Sequence, residues 1–315
     1  MAAGEAAVDD GVMLVALLVA TLRAAAPLIL AATGELVTER AGVLNLGVEG
    51  MMLVGAVVGF AATITTGSHW LGLLAAMAAG MAMAGIFAAL TLGLRANQVA
   101  SGLALTIFGV GFSALFGAPF QSHPIPGLAT VIFPNLAAAS PFMQQLLLLD
   151  PLVWLALAAP FAVQRFLARS RAGLVLRAVG ESAEVAHSFG YAVIRIRLAA
   201  TLFGGAMAGL AGVSLSLAYT PMWTENMVAG RGWIALALVV FSTWKPHFVT
   251  LGALLFGFVT IAGFQANAWG IPVAPNLLAT LPYLATILVL VLISRDRLRL
   301  KLNAPASLGK PFHPV

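Results

Sequence analysis

Residues 164–197 read QRFLARSRAGLVLRAVGESAEVAHSFGYAVIRIR. Six arginines (Arg165, Arg169, Arg171, Arg177, Arg195 and Arg197) stand against two acids, Glu181 and Glu184. An apolar run long enough to cross a bilayer lies on each side. An arginine cluster between two spans marks a cytoplasmic loop, because positive loops are retained on that side. The loop also carries helix signals. Ser182 is placed to cap a helix, Glu184 falls in its first turn, and Gly190 is placed to end it. Ala183, Ala186 and Phe189 then share one face of a short amphipathic helix. A membrane protein that holds such a helix in the cytosol presents it to a partner.

The sequence around this loop is oily. Of 315 residues, 61% are hydrophobic and 9% charged, with a mean hydropathy of +1.01. A soluble domain carries about a quarter charged residues, so this chain uses lipid as much of its solvent. A span needs roughly 20 apolar residues. Nine runs qualify as spans or broken spans: approximately 12–34, 43–65, 70–94, 97–118, 146–168, 196–220, 228–244, 248–268 and 276–294. Alternation with period two is absent, which argues against a barrel. The expected fold is an all-α polytopic membrane protein of about nine transmembrane or broken helices in one domain, 1–315. The net charge of +5 sits at segment ends and in one loop, where topology accounts for it, so nucleic acid is not implied. With no cysteine, thiolate catalysis, disulfides and Cys-ligated metals are excluded. The acidic start MAAGEAAVDDG lacks the basic region of a cleaved signal peptide.

The charges orient the spans. Arg40, Arg95, the 164–197 loop, Lys245 and the tail RDRLRLK (295–301) belong on the cytoplasmic side, and nine crossings from an outside N-terminus satisfy all five. The connector 119–145, with five prolines and no charge, is then external, either packed on the outer face or serving as a gate. Arg23 interrupts the first run. Either residues 12–22 lie at the outer interface and the span begins near Ala24, or Arg23 is a functional intramembrane charge.

Two polar islands sit inside apolar sequence. In GELVTERAGVLNLGVEGMM (34–52), Glu35, Glu39 and Arg40 fall near the cytoplasmic face. Asn45 and Glu49, four apart, are expected on one helical face. Glu49 either bonds backbone where the helix breaks around Gly42, Gly47 and Gly50, or lines and gates a pathway. In the second island, Thr224, Glu225, Asn226 and Arg231 lie on the outer side, before a run (228–244) short for a span and flanked by Gly230, Gly232 and Pro246. Broken helices with polar tips are typical of transport pathways. Arg231 is expected to pair with Glu225 or to meet substrate. The segment FGGAMAGLAG (203–212), with Gly205 and Gly209 four apart, suits close helix packing. Enzyme signals are poor: the five histidines are scattered, and HExxH, a P-loop and an acidic pair inside a span are all missing. No metal site and no cofactor is expected.

Three stretches together resemble the inner-membrane permeases of bacterial ABC importers, in the branch of branched-chain amino-acid, ribose and nucleoside permeases. ERAGVLNLGVEGMMLVGA (39–56) is similar to the nucleoside and simple-sugar permease signature. LRAVGESAEVAHSFGYAVIRIRLAATLFGGAMAGLAG (176–212) is similar to the family's coupling loop and following helix. TENMVAGRGWIALALVVFSTWKPHFVTLGALLFG (224–257) resembles the same nucleoside-like branch, although Tyr191 and Ser242 stand where that branch leads one to expect Ile and Gly. The resemblance covers roughly 15–295. It implies the ABC importer permease fold in the bacterial cytoplasmic (inner) membrane, with a cytoplasmic coupling loop 169–197 and a cytoplasmic tail 295–315. It implies three protein partners: an ABC ATPase with two nucleotide-binding domains, a paralogous permease subunit and an extracytoplasmic substrate-binding lipoprotein. Ser182, Glu184, Ala186, Phe189 and Gly190 would then couple to the ATPase, while Asn45, Glu49, Glu225, Asn226 and Arg231 are candidates for the pathway or its gate. The chain itself would be non-catalytic, with nucleosides or related purine and sugar compounds as cargo. A secondary transporter or channel working without ATP is the alternative, and an intramembrane enzyme the third reading.

Overall fold

A backbone in lipid has no water to bond, so its amide groups must satisfy one another within the segment. In the computed structural model, residues 2–128, 149–268 and 303–313 are described, together with isolated helical positions at 280, 284, 287 and 291. Among the described residues the chain forms ten α-helices and no β-strand: α1 (Ala2–Arg40), α2 (Val48–Thr66), α3 (His69–Ala88), α4 (Gln98–Gly117), α5 (Pro151–Arg169), α6 (Arg171–Glu181), α7 (Ala183–Ser188), α8 (Val193–Ser214), α9 (Arg231–Phe241) and α10 (Pro246–Ala268). Seven of the described helical segments are long and apolar enough to cross a membrane, and α9 is too short. The ninth expected run, 276–294, the connector from 129 to 148 and the basic stretch 295–301 lie outside the described residues, apart from the four helical positions.

The spans start and stop where local chemistry permits. Asp150 caps α5 by accepting from the Leu152 and Val153 amides, and Ser170 both ends α5 and caps α6 through the Gly173 amide. Helix α1 continues unbroken through Arg23 and Pro27, so no new helix begins at Ala24. Its candidate span, Met13–Arg40, is 28 residues long. The 17 residues between Arg23 and Arg40 rise about 26 Å, close to the hydrocarbon thickness. Arg23 also shares a small cavity with Asp150 at the start of α5. Both rulers set it at the edge of the membrane opposite Arg40.

Helix α8 is the centre of the bundle, wedged between α2 and α3. A methyl on Gly212 would run into the Met52 carbonyl, and one on Gly209 into the Ala76 carbonyl. The small-residue pattern therefore serves backbone-to-backbone packing, the usual way helices associate in lipid.

The two ends of the bundle differ in charge. At one end, Arg40 donates to Asn303 and Trp244 carbonyls, Arg95 meets His313 at 3.2 Å, and Ser307 bonds the backbone of α6. Arg40, Arg95, the arginine loop, the residues beside Lys245 and the segment 303–313 thus converge on one face. At the other end, the described part of the connector 119–145 packs down. Ser122 and Ile125 donate to Trp223 and Pro221 carbonyls, Leu128 to Leu217, and His69 bonds the Pro126 carbonyl.

Candidate functional site: a half-length helix and an apolar knob

After α1 ends, residues 41–47 do not begin a helix. They climb back into the bundle. Gly42 takes φ +87°, which a glycine adopts at little cost. The Leu44 amide donates to Gln98 at the start of α4, and the Asn45 amide donates to Glu35 at 3.0 Å. Glu35 lies five residues before Arg40, about 7.5 Å from the end of α1. Asn45 is therefore not on the α2 face expected for it. Its side-chain oxygen instead accepts from the Gly47 amide, an Asx turn that offers the backbone an alternative to helix. Helix α2 starts only at Val48, already inside the membrane, and Gly50 touches Gly109 midway along α4.

Glu49 consequently sits near mid-bilayer, and its partner is the N-terminus of α9. One carboxyl oxygen accepts from the Gly230 amide at 2.8 Å and the other from the Gly232 amide at 2.6 Å. Four amides at a helix start lack intrahelical partners, and a carboxyl group there also suits the positive end of the dipole. Gly232 is what lets the two backbones approach: a Cβ there would fall 2.6 Å from the Glu49 Cα. Eleven residues of α9 rise about 16 Å, half the hydrocarbon core. The segment 220–230 covers the other half without helical structure, descending from Trp223, which packs on Gly117 at the C-terminal end of α4. Asn226, Ala229 and Gly230 all have positive φ, an uncommon run that only a firmly held tip sustains.

The site residues divide accordingly. Glu49 and Arg231 meet at the α9 tip, since Glu49 grips the amides on either side of Arg231. Glu225 and Asn226 are exposed in the descending loop. The expected ion pair between Arg231 and Glu225 does not form. Arg231 folds back onto the Met227 and Val228 carbonyls and lies over the Tyr219 ring, 5.8 Å from its centroid. The left-handed turns at Asn226 and Ala229 bring those carbonyls within its reach. Asn45 belongs to a lower layer with Glu35.

That lower layer corrects another expectation. An acidic pair does lie inside a span: Glu35 and Glu39, one turn apart on α1, are each 1% exposed. Glu35 holds residue 45. Glu39 accepts from the Trp244 indole, while Arg40 donates twice to the Trp244 carbonyl. Thr243 and Trp244 both have positive φ, and these three contacts pin the strained corner between α9 and α10. Trp244 carries little signal in the sequence; its only local mark is an aromatic residue wedged before Lys245 and Pro246.

At the arginine-rich end of the bundle, Ser182 caps α7 through the Val185 amide, Glu184 lies in the first turn, and Gly190 turns the chain with φ +84°. Ala186 is buried with Ala183, but Phe189 is not on their face. The helix stops at Ser188, so residue 189 leaves the helical register, and its side chain is 77% exposed. The place beside Ala183 and Ala186 is taken by Phe312, which joins Val179 and Val193 in a small separate core. Phe189, Val185 and Tyr191 form an exposed apolar knob on a face rich in charge. Arg197, counted with the loop's free positive charge, is 1% exposed and bonds the Ala41 and Lys310 carbonyls and the Ser307 hydroxyl.

Comparison with known proteins agrees with this architecture. Residues 17–293 match the family described as "Branched-chain amino acid transport system / permease component". The chain is 40% identical over 303 residues to the putative glucose ABC transporter permease protein TsgC13 of Haloferax volcanii, covering 87% of this chain and 90% of that one. It is 33% identical to the guanosine ABC transporter permease protein NupQ of Bacillus subtilis, covering 93% and 95%. It is 29% identical to the nucleoside ABC transporter permease protein NupC of Lactococcus lactis, covering 84% and 88%.

Proposed function

Since this chain belongs to the permease-component family of branched-chain amino acid transport systems, we propose that it forms half of the translocation pathway of an ATP-driven importer for nucleosides or related purine and sugar compounds. It is an ABC transporter permease, a multi-pass protein of the cytoplasmic membrane. The α9 tip is its pathway element and α7 its contact with the ATPase. A homologous second permease completes the pathway, and an extracytoplasmic binding protein delivers the solute.

The observation that carries the coupling reading is the knob of Val185, Phe189 and Tyr191. Outside the membrane, an exposed apolar cluster is the mark of a protein interface. A route from knob to pathway follows from packing. Helix α7 runs into α8 through Gly190, and α8 lies backbone-to-backbone on α2. Helix α2 carries Glu49, which holds the α9 tip. A push on α7 therefore moves α8 against α2 and re-aims the half-helix at mid-bilayer. No ion-coupling group is needed in this scheme, because ATP supplies the drive.

Sugars are a second reading for the cargo, favoured by the 40% identity to a protein named as a putative glucose permease. A ligand screen on the cognate binding protein, with guanosine, adenosine and glucose, decides between them. For coupling, Phe189→Asp is expected to weaken ATPase binding by about 30-fold, the loss of an interface hot spot, and to abolish ATP-dependent uptake while membrane insertion is kept. Liposomes containing this chain alone are expected to take up none of the three solutes. Accumulation there, without an ATPase, overturns the reading.

A further inference from the structure

We propose that residues 303–313 are a strap that ties α7 to the corner between α1 and α2, so that displacement of α7 reaches the re-entrant segment directly. The proposal rests on the reading that α7 meets the ATPase, and it adds a positioning role for residues outside that contact.

The strap makes bonds to each part it joins. On the α6–α7 side, the Ser307 amide and hydroxyl both donate to the Gly180 carbonyl, at 2.9 and 2.6 Å. Phe312 packs on Val179, Ala183, Ala186 and Val193, and its ring meets His187 with centroids 5.4 Å apart. On the α1–α2 side, the Gly309 amide donates to the Gly42 carbonyl and Arg40 donates to the Asn303 carbonyl. Arg197 joins the two sides, donating to Ala41, Ser307 and Lys310 from within the bundle. A fully buried guanidinium is retained only where its donors are met, so the strap is held in one register.

Mechanics explain why such a tie matters. Helix α7 has six residues, of which only Ala183 and Ala186 are buried, and a helix that short has little cohesion of its own. Without Phe312 its inner face rests on Val179, Val193 and the partly buried Ile196. A force applied at Phe189 would then be absorbed by local rearrangement. With the strap in place, the same force acts on Gly42, the residue from which the chain climbs back toward Asn45 and Glu49.

The test uses the assembled transporter in proteoliposomes, with three changes: truncation after residue 302, Phe312→Ala and Ser307→Ala. Each is expected to leave ATPase co-purification and ATP hydrolysis in place while uptake falls about tenfold, within the usual range of coupling between sites. The ratio of ATP consumed to solute moved therefore rises. In this cysteine-free chain, His187→Cys combined with Phe312→Cys is expected to impair uptake until a short bifunctional thiol reagent joins the pair and restores it. Unchanged uptake in all three variants, or hydrolysis and uptake falling in equal proportion, overturns the strap. Phe189→Asp serves as the control. If it transports normally, the coupling reading itself fails; if it is inactive while the strap variants transport normally, only the strap fails.

Discussion

Glu49 takes hydrogen bonds from amides 181 and 183 residues further along the chain, and both of its oxygens are used. Glu49→Gln keeps the shape but turns one acceptor into a donor facing an N–H. The expected cost is about 1–3 kcal/mol, that of a buried unsatisfied donor. The melting temperature of the purified protein in detergent reports it, and a shift indistinguishable from zero contradicts the assignment. Trp244→Phe is expected to cost a similar amount, roughly 1–3 kcal/mol, because the Glu39 carboxyl loses its indole donor deep in the bundle. At this scale the sequence was only partly readable. That Glu49 could not face lipid was clear from its position in an apolar run. Its partners were not, since no local pattern links position 49 to positions 230 and 232. Asn45 was misplaced on a helix for the opposite reason: its side chain bonds the Gly47 amide, and that local competition outweighs the four-residue spacing.

Among the elements, α8 is the least tolerant of added volume. Gly212→Val would drive a branched side chain into the Met52 carbonyl. Overpacking of this kind costs about 1–3 kcal/mol or more, and the expected result is a lower melting temperature and a lower folded yield. Gly85→Ala is the matched control: the nearest atom to its new methyl is Leu202 Cδ2 at 3.9 Å. Removing a helical glycine is expected to gain roughly 0.5–1 kcal/mol. If both variants melt alike, close packing of α8 is not what holds the bundle. Element ends were legible where capping is local, as at Ser182 and Gly190. The short run 228–244 was also legible, because its length and flanking glycines mark it as less than a full span. Phe189 was not, since its helix ends one residue sooner than the apolar spacing requires, and Phe312 supplies the missing contact from more than a hundred residues away.

For the molecule as a whole, packing gathers the described basic stretches at one end: Arg40, Arg95, the arginine loop and Trp244 beside Lys245 lie there with residues 303–313, and the charge rule proposes that this end is cytoplasmic. Single cysteines in this cysteine-free chain test the sidedness. Phe189→Cys is expected to react with an impermeant maleimide only from the cytoplasmic side, and His123→Cys, exposed at the opposite end of the bundle, only from outside. Labelling of both from the same side inverts or breaks the topology. The gathering of basic residues at one end was readable from the charge pattern, because lipid excludes charge independently of packing detail. The docking of residues 303–313 beneath α7 was invisible for the converse reason, as Ser307 and Phe312 carry no signal until Gly180 and Ala186 are placed beside them. This docking also bears on biosynthesis. Phe312 follows Ser188 by about 120 residues, or roughly 6–25 s of translation at ordinary rates. Until then α7 has an unfinished inner face, so a ribosome-bound chain cannot yet present the mature α7 surface. On the coupling proposed above, docking at α7 would thereby wait until residues 303–313 have been made.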